Sequence, residues 1–236
     1  MKRARRQDEH RSAAAEGRLL ARPGQPRAAA AVGLQPLGLA TRRDGFLHVP
    51  SSYDGNHPMP LVLMLHGAGG TAQHSLPLLQ QLADQSGFIL LVPDSRDATW
   101  DVIRSAYGPD IAFIDDALGQ TFSRYVIDPA HIAVGGFSDG ASYALSVGIT
   151  NGDLFTHILA FSPGFMAPAS QAGTPQIYIS HGTHDQVLPI DRCSQRIVPQ
   201  LEQAGYVVRY QEFDGPHTVP PQIAQEGVEW FMTKQG

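Results

Sequence analysis

Cysteine is nearly absent: Cys193 is the only one among 236 residues. A single thiol excludes an intramolecular disulfide and the paired-cysteine spacings of zinc fingers. Cys193 is therefore expected to be a small, partly buried side chain on a helix. No apolar run approaches the roughly 18 residues that would span a bilayer. Internal repeats are lacking, and so are low-complexity tracts inside the body of the chain. Positive charge is scarce as well. Seventeen Lys and Arg stand against 22 Asp and Glu, for a net charge of −5. No basic patch carries interleaved aromatics, which argues against nucleic acid as a partner. No pair of histidines stands with a carboxylate at a recognised ligand spacing, so no metal or other cofactor is expected.

The positive charge that exists is concentrated at the start. Residues 1–44 hold ten Lys or Arg and four Asp or Glu, leaving seven against eighteen in the rest. This contrast suggests an N-terminal basic, Ala/Arg-rich extension over 1–44 and a single domain over 45–236, a length that suits one sizeable core. A solvated or loosely docked arm is expected. A secretory signal needs a continuous apolar stretch soon after its basic residues. Here the polar "QDEHRSAAAEGR" follows, and the later "AAAAVGLQPLGLA" is broken by Gln35 and Pro36. The expectation is no signal peptide, hence a cytoplasmic location.

From residue 45 onward, short apolar runs alternate with helical periodicities. Strands are expected at 45–50, 60–67, 88–94, 131–137, 157–163, 176–182 and 206–213. Helices are expected at 71–87, where Leu76, Leu78, Leu79 and Leu82 share a stripe, and at 109–127, opened by Asp110 as N-cap. Further helices are expected at 139–150, 190–205 and 220–234. Such alternation predicts an α/β fold: a mostly parallel central sheet with helices on both faces. In such sheets function gathers at the carboxyl edge of the strands. No insertion is long enough for a separate cap domain; the irregular stretches 94–109 and 163–175 could form short rims.

One stretch carries chemistry. "HIAVGGFSDG" (131–140) contains Gly-x-Ser-x-Gly after a strand and before a helix, the context of a nucleophile elbow. The flanking glycines would let a strained Ser138 approach neighbouring backbone closely. A serine hydroxyl needs a base and a group that orients the base. In this architecture the chain order should be Ser, acid, His, so the candidates are His157, His181, His184 and His217. His217, in the loop "DGPHTVP", is the one placed to reach over the elbow. Asp185, one loop-length past a strand end, is the expected acid, with Asp191 and Asp214 as rivals. "LHGAGG" (65–70) leaves a strand through glycines. Its Ala68 amide and that of Asp139 are the expected oxyanion donors, while His66 is expected to brace the loop. Trp100, Phe137 and Phe165 are candidate apolar walls of the substrate pocket, against an equal expectation of plain core packing.

Together, "LHGAGG", "GGFSDG", "HGTHDQVLP" and "GPH" resemble the α/β-hydrolase superfamily. The resemblance is to small bacterial esterases of the phospholipase/carboxylesterase type, related to acyl-thioesterases, feruloyl esterases and polyhydroxyalkanoate depolymerases. It covers about 45–234. It implies a Ser138–Asp185–His217 triad and an Ala68/Asp139 oxyanion hole, in agreement with the residues read on their own. The lack of an evident signal peptide departs from the secreted relatives, and the lack of a lid disfavours an interfacially activated lipase. The expected partner is a small-molecule ester with a short-to-medium acyl group. Thioesterase or peptidase action on the same triad, or ligand binding without catalysis, are the alternatives. Oligomeric state is not legible.

Overall fold

The computed structural model describes residues 2–26 and 31–233. Eight strands form one sheet: β1 (Gly33–Pro36), β2 (Gly45–Val49), β3 (Met59–Leu65), β4 (Ile89–Pro93), β5 (Ile127–Phe137), β6 (His157–Phe161), β7 (Gln176–Gly182) and β8 (Val208–Phe213). Their spatial order is β1-β2-β4-β3-β5-β6-β7-β8. β1 pairs antiparallel with β2, and β2 with β4; β4, β3, β5, β6, β7 and β8 run parallel. The expected α/β fold with a mostly parallel sheet is what the chain adopts, and no large cap is present among the described residues.

Alternation of side chains along the strands sorts the core into two layers. Leu61, Leu63 and Leu65 of β3 face one layer, and Val62 and Met64 the other. The first layer is covered by α4 (Pro109–Arg124), α5 (Asp139–Thr150) and α6 (Ser194–Gln203), the second by α2 (Ala72–Ser86) and α7 (Pro221–Met232). Gly87 ends α2 in the left-handed conformation its position suggested (φ 74°). The helix expected over 220–234 stops at Met232, and Lys234 lies outside the described residues. Cys193 is buried just before α6.

Three details differ from expectation. Asp110 does not cap α4: Gly108 holds the cap position with Pro109 next. The Asp110 carboxylate instead accepts from the backbone amides of Arg96 (2.5 Å) and Asp101 (2.7 Å). A four-residue helix, α3 (Asp101–Arg104), breaks the loop after β4. Residues before 45 also contribute structure. α1 (Lys2–Ala15) lies against α4, β1 belongs to the sheet, and Leu19 is fully buried in the first core layer. The segment that follows α1 is fastened by Asn151, whose side chain accepts from Leu19 N (2.8 Å) and donates to Gly17 O (2.8 Å) and Val147 O (2.9 Å). Asp115 accepts from the amides of Leu20 and Ala21, both at 2.7 Å, and Asp153 pairs with Arg18 and Arg22. Among the described residues no helix is long and apolar enough to cross a membrane.

His157 opens β6 and is buried beside His131, Trp230 and Phe231. Burial, reinforced by His131, pushes its imidazole down to about 4. A base whose folded pKa lies below its unfolded value of 6.5 favours the unfolded chain as pH falls between the two. Stability should therefore decline from about pH 6.5 toward pH 4, and His157→Gln should flatten that decline in urea titrations at several pH values. Asn151→Ala should cost about 2–3 kcal/mol by leaving Gly17 and Leu19 unpaired. Denaturant unfolding checks this, and proteolysis within residues 7–22 should speed up.

Candidate active site

The parallel strands deliver their following loops to one edge of the sheet. β5 ends at Phe137, and Ser138 turns the chain into α5 with φ 58° and ψ −121°, a left-handed conformation rare for a residue with a side chain. Its amide still donates to Phe161 O (3.0 Å) of β6. The glycines either side make this turn possible. A Cβ at Gly136 would overlap the carbonyl of Gly140, and one at Gly140 would overlap the carbonyl of Leu65, each inside the 3.0 Å that real Cβ atoms keep. Strand β3, the turn and the start of α5 therefore meet backbone to backbone.

Ser138 Oγ lies 2.9 Å from His217 Nε2, and His217 Nδ1 lies 2.5 Å from Asp185 Oδ2. An ionised carboxylate only accepts, so Nδ1 carries the ring proton and Nε2 offers its lone pair to the serine hydroxyl. Asp185 is held from several sides. Its Oδ1 accepts from the amides of Val187 (2.9 Å) and Leu188 (2.8 Å), and His181 Nε2 stands 3.2 Å from Oδ2. Burial opposes ionisation of this carboxyl, but the Leu188 amide, His217 and the Val187 amide outweigh it and hold the group below its ordinary pKa. Phe137 packs against the His217 ring, with centroids 4.7 Å apart.

The rival residues are engaged elsewhere. His181 is buried, bonded through Nδ1 to Ser194 Oγ (2.6 Å) and through Nε2 to Leu188 O (2.8 Å). It thereby anchors the loop that carries Asp185. His184 and Asp214 are exposed and pair with each other at 3.0 Å. Asp191 is exposed.

Across the turn, the 66–70 loop passes close to Ser138: a Cβ at Gly67 would stand 3.2 Å from the serine Cβ. Ala68 is exposed at its tip. His66 braces the loop from within. Its Nε2 accepts from Ser95 N (3.0 Å), so its Nδ1 donates to Gly67 O (2.8 Å), and burial lowers its pKa and keeps it neutral. Arg43 adds bonds to Gly70 O and Ser95 Oγ, both at 3.0 Å. Among the described residues no three His, Cys, Asp or Glu side chains are grouped as a bound metal ion requires.

A model of the phospholipase/carboxylesterase family matches residues 93–229, more than half of the chain. The chain belongs to that family. It is 29% identical over 157 residues to a probable feruloyl esterase C of Aspergillus niger, in an alignment covering 63% of this chain and 57% of that protein. With an acetylxylan esterase of Coprinopsis cinerea the identity is 31% over 170 residues, covering 66% and 42%. The chain thus spans little more than half the length of the first relative and less than half of the second. Among solved structures, esterase PE8 superposes with a TM-score of 0.64 at 23% identity, over 79% of this chain and 96% of that one. At that identity the likeness concerns the fold.

In this phospholipase/carboxylesterase relative, the expected pocket walls divide. Phe165 is exposed, on a segment whose Gly164 amide is held by Ser142 Oγ (2.9 Å) on α5. Phe137 is half-buried beside His217. Trp100 offers no surface. It is fully buried, its Nε1 donates to His66 O (2.8 Å), and its ring stacks on Tyr143. Composition could not separate these cases, because a tryptophan in a loop packs inward or outward according to what lies beneath. Val187 is a further exposed apolar residue, on the Asp185 loop. The Thr99 hydroxyl donates to Asp139 Oδ2 (2.7 Å), and Thr99 borders a cavity of about 480 Å³ walled by Arg96, Asp101 and Arg104 among others. No sequence pattern links Thr99, in the loop before α3, to Asp139, the first residue of α5.

Gly140→Ala should cost more than the about 1–3 kcal/mol typical of an overpacked core site, because the clash is with backbone and cannot relax by a rotamer change. Thermal unfolding should show a large drop in Tm or no folded protein; a Tm near that of the parent would contradict the packing described.

Proposed function

We propose that the chain is a serine carboxylesterase that hydrolyses small carboxylic esters through a covalent acyl-enzyme. The observation that carries this reading is the continuous Ser138–His217–Asp185 relay, at 2.9 and 2.5 Å, on a left-handed turn at the start of a helix. Ser138 Oγ attacks the ester carbonyl while His217 Nε2 takes its proton. Asp185 stabilises the resulting imidazolium and keeps Nδ1 protonated. The oxyanion of the tetrahedral intermediate is assigned to the amides of Ala68 and Asp139, the second aided by the N-terminal dipole of α5. As the intermediate collapses, His217 gives the proton to the departing alcohol. Water then attacks the acyl-enzyme with the same base, and expulsion of Ser138 Oγ frees the carboxylic acid.

The substrate class follows from the surroundings. Phe165 and Val187 are exposed apolar side chains on the loops after β6 and β7, at the same sheet edge as the serine, and no large cap is present among the described residues, which favours a short-to-medium acyl group. The similar proteins are named as feruloyl and acetylxylan esterases, which supports an ester as the bond broken.

Hydrolysis of p-nitrophenyl acetate, butyrate and octanoate tests the reading. Ser138→Ala and His217→Ala should each lower kcat by several orders of magnitude, about 10⁵–10⁶, with a smaller loss for Asp185→Ala. Mass spectrometry of the wild type should trap an acyl group on Ser138. Equal turnover by wild type and Ser138→Ala would refute the assignment. A larger loss from His184→Ala than from His217→Ala would move the base.

A further inference from the structure

We propose that Thr99 is a positioning residue: it clips the start of α5 to the glycine loop after β3 and so sets the spacing between the two oxyanion amides. The inference rests on the esterase reading above.

The two amides, of Ala68 and Asp139, belong to segments that are far apart in sequence and not joined to each other by any ladder hydrogen bond at these residues. An oxyanion hole works only if both donors stand about 2.7–3.1 Å from one point in space. Something must therefore hold the segments in register, and residues 98–100 touch both. On the loop side, Gly69 N donates to Ala98 O (2.7 Å) and Trp100 Nε1 donates to His66 O (2.8 Å). On the helix side, Thr99 Oγ1 donates to Asp139 Oδ2 (2.7 Å), and the Trp100 indole stacks on Tyr143, one turn into α5, with centroids 5.1 Å apart and planes 14° apart. The same indole lies 4.8 Å from the His66 ring. The clip is itself fastened, since Asp101, the next residue, accepts from Tyr143 Oη (2.8 Å).

Within the clip, Thr99 has the particular task. Trp100 holds α5 a turn away from the donor, whereas Thr99 holds the very residue whose amide is the donor. The bond is charge-assisted and therefore stiff. It also fixes where the Asp139 carboxylate points. A free carboxylate beside the oxyanion would oppose the negative charge that develops there, and the Thr99 hydroxyl holds it in one fixed place.

The test compares Thr99→Val with wild type on p-nitrophenyl acetate. Losing one oxyanion donor outright costs about 10²–10³ in kcat, and displacing one should cost part of that, roughly tenfold. KM and Tm should stay close to wild type. The affinity for butylboronic acid, whose serine adduct is tetrahedral, should fall by the same factor, and Thr99→Ser should restore both. In an Asp139→Ala background, Thr99→Val should add nothing further; that variant also removes the contact from the other side should Thr99→Val not fold. Wild-type kcat in Thr99→Val, a kcat loss without loss of boronate affinity, or a loss that serine does not rescue would each overturn the inference. An absence of turnover in the wild type itself would instead sink the esterase reading, and this inference with it.

Discussion

The left-handed turn at Ser138 is the constraint on which the rest of the molecule is arranged. A residue with a side chain held at φ 58° carries a cost of about 1–3 kcal/mol. Three backbone segments hold it there: β6 receives its amide through Phe161, and β3 and the first residues of α5 close in on Gly136 and Gly140. Neither glycine leaves room for a Cβ. The gain is a hydroxyl held clear of the sheet at a helix N-terminus, with neighbours that cannot drift.

Around that point the parallel strands do the gathering. Strands running the same way end on the same edge, so loops far apart in sequence meet without any dedicated domain to bring them together. Asp185 comes from the loop after β7 and His217 from the loop after β8. The carboxylate stays ionised although buried, because backbone amides and two histidine rings surround it. His181, set aside as a base, serves this end by holding Leu188 O and lying against Asp185. The electrostatics of the site are thus built mostly from backbone groups, whose positions the sheet fixes.

Legibility followed the length and periodicity of each element. Seven of the strands and the five long helices of residues 45–236 stood out because runs of Val, Ile and Leu alternate with helical stripes, the first of them closed by Gly87. β1, with four residues, and α3, also with four, are too short to show a period. The segment before residue 45 looked separate because its average charge differs. Packing depends instead on a few residues: Ala14, Leu19 and Leu37 enter the core, and Asn151 and Asp115 bind the backbone between them. Asp110 had the composition of a helix cap, but its carboxylate was claimed by two amides of the preceding loop.

The sequence by itself determined the α/β architecture of residues 45–236 and pointed to Ser138, Asp185 and His217, because strand pattern, glycine spacing and chain order are properties of the chain read in one direction. It left Asp139 with an unassigned carboxylate and Trp100 facing either way. Tertiary structure decided those: Thr99 reaches Asp139 across 40 positions of chain, and Trp100 closes over Tyr143 and His66. Such contacts join a loop to a helix and to a second loop, and no local pattern relates them. They exist only once the sheet has set the distance between its strand ends, and that distance is not written in any one segment.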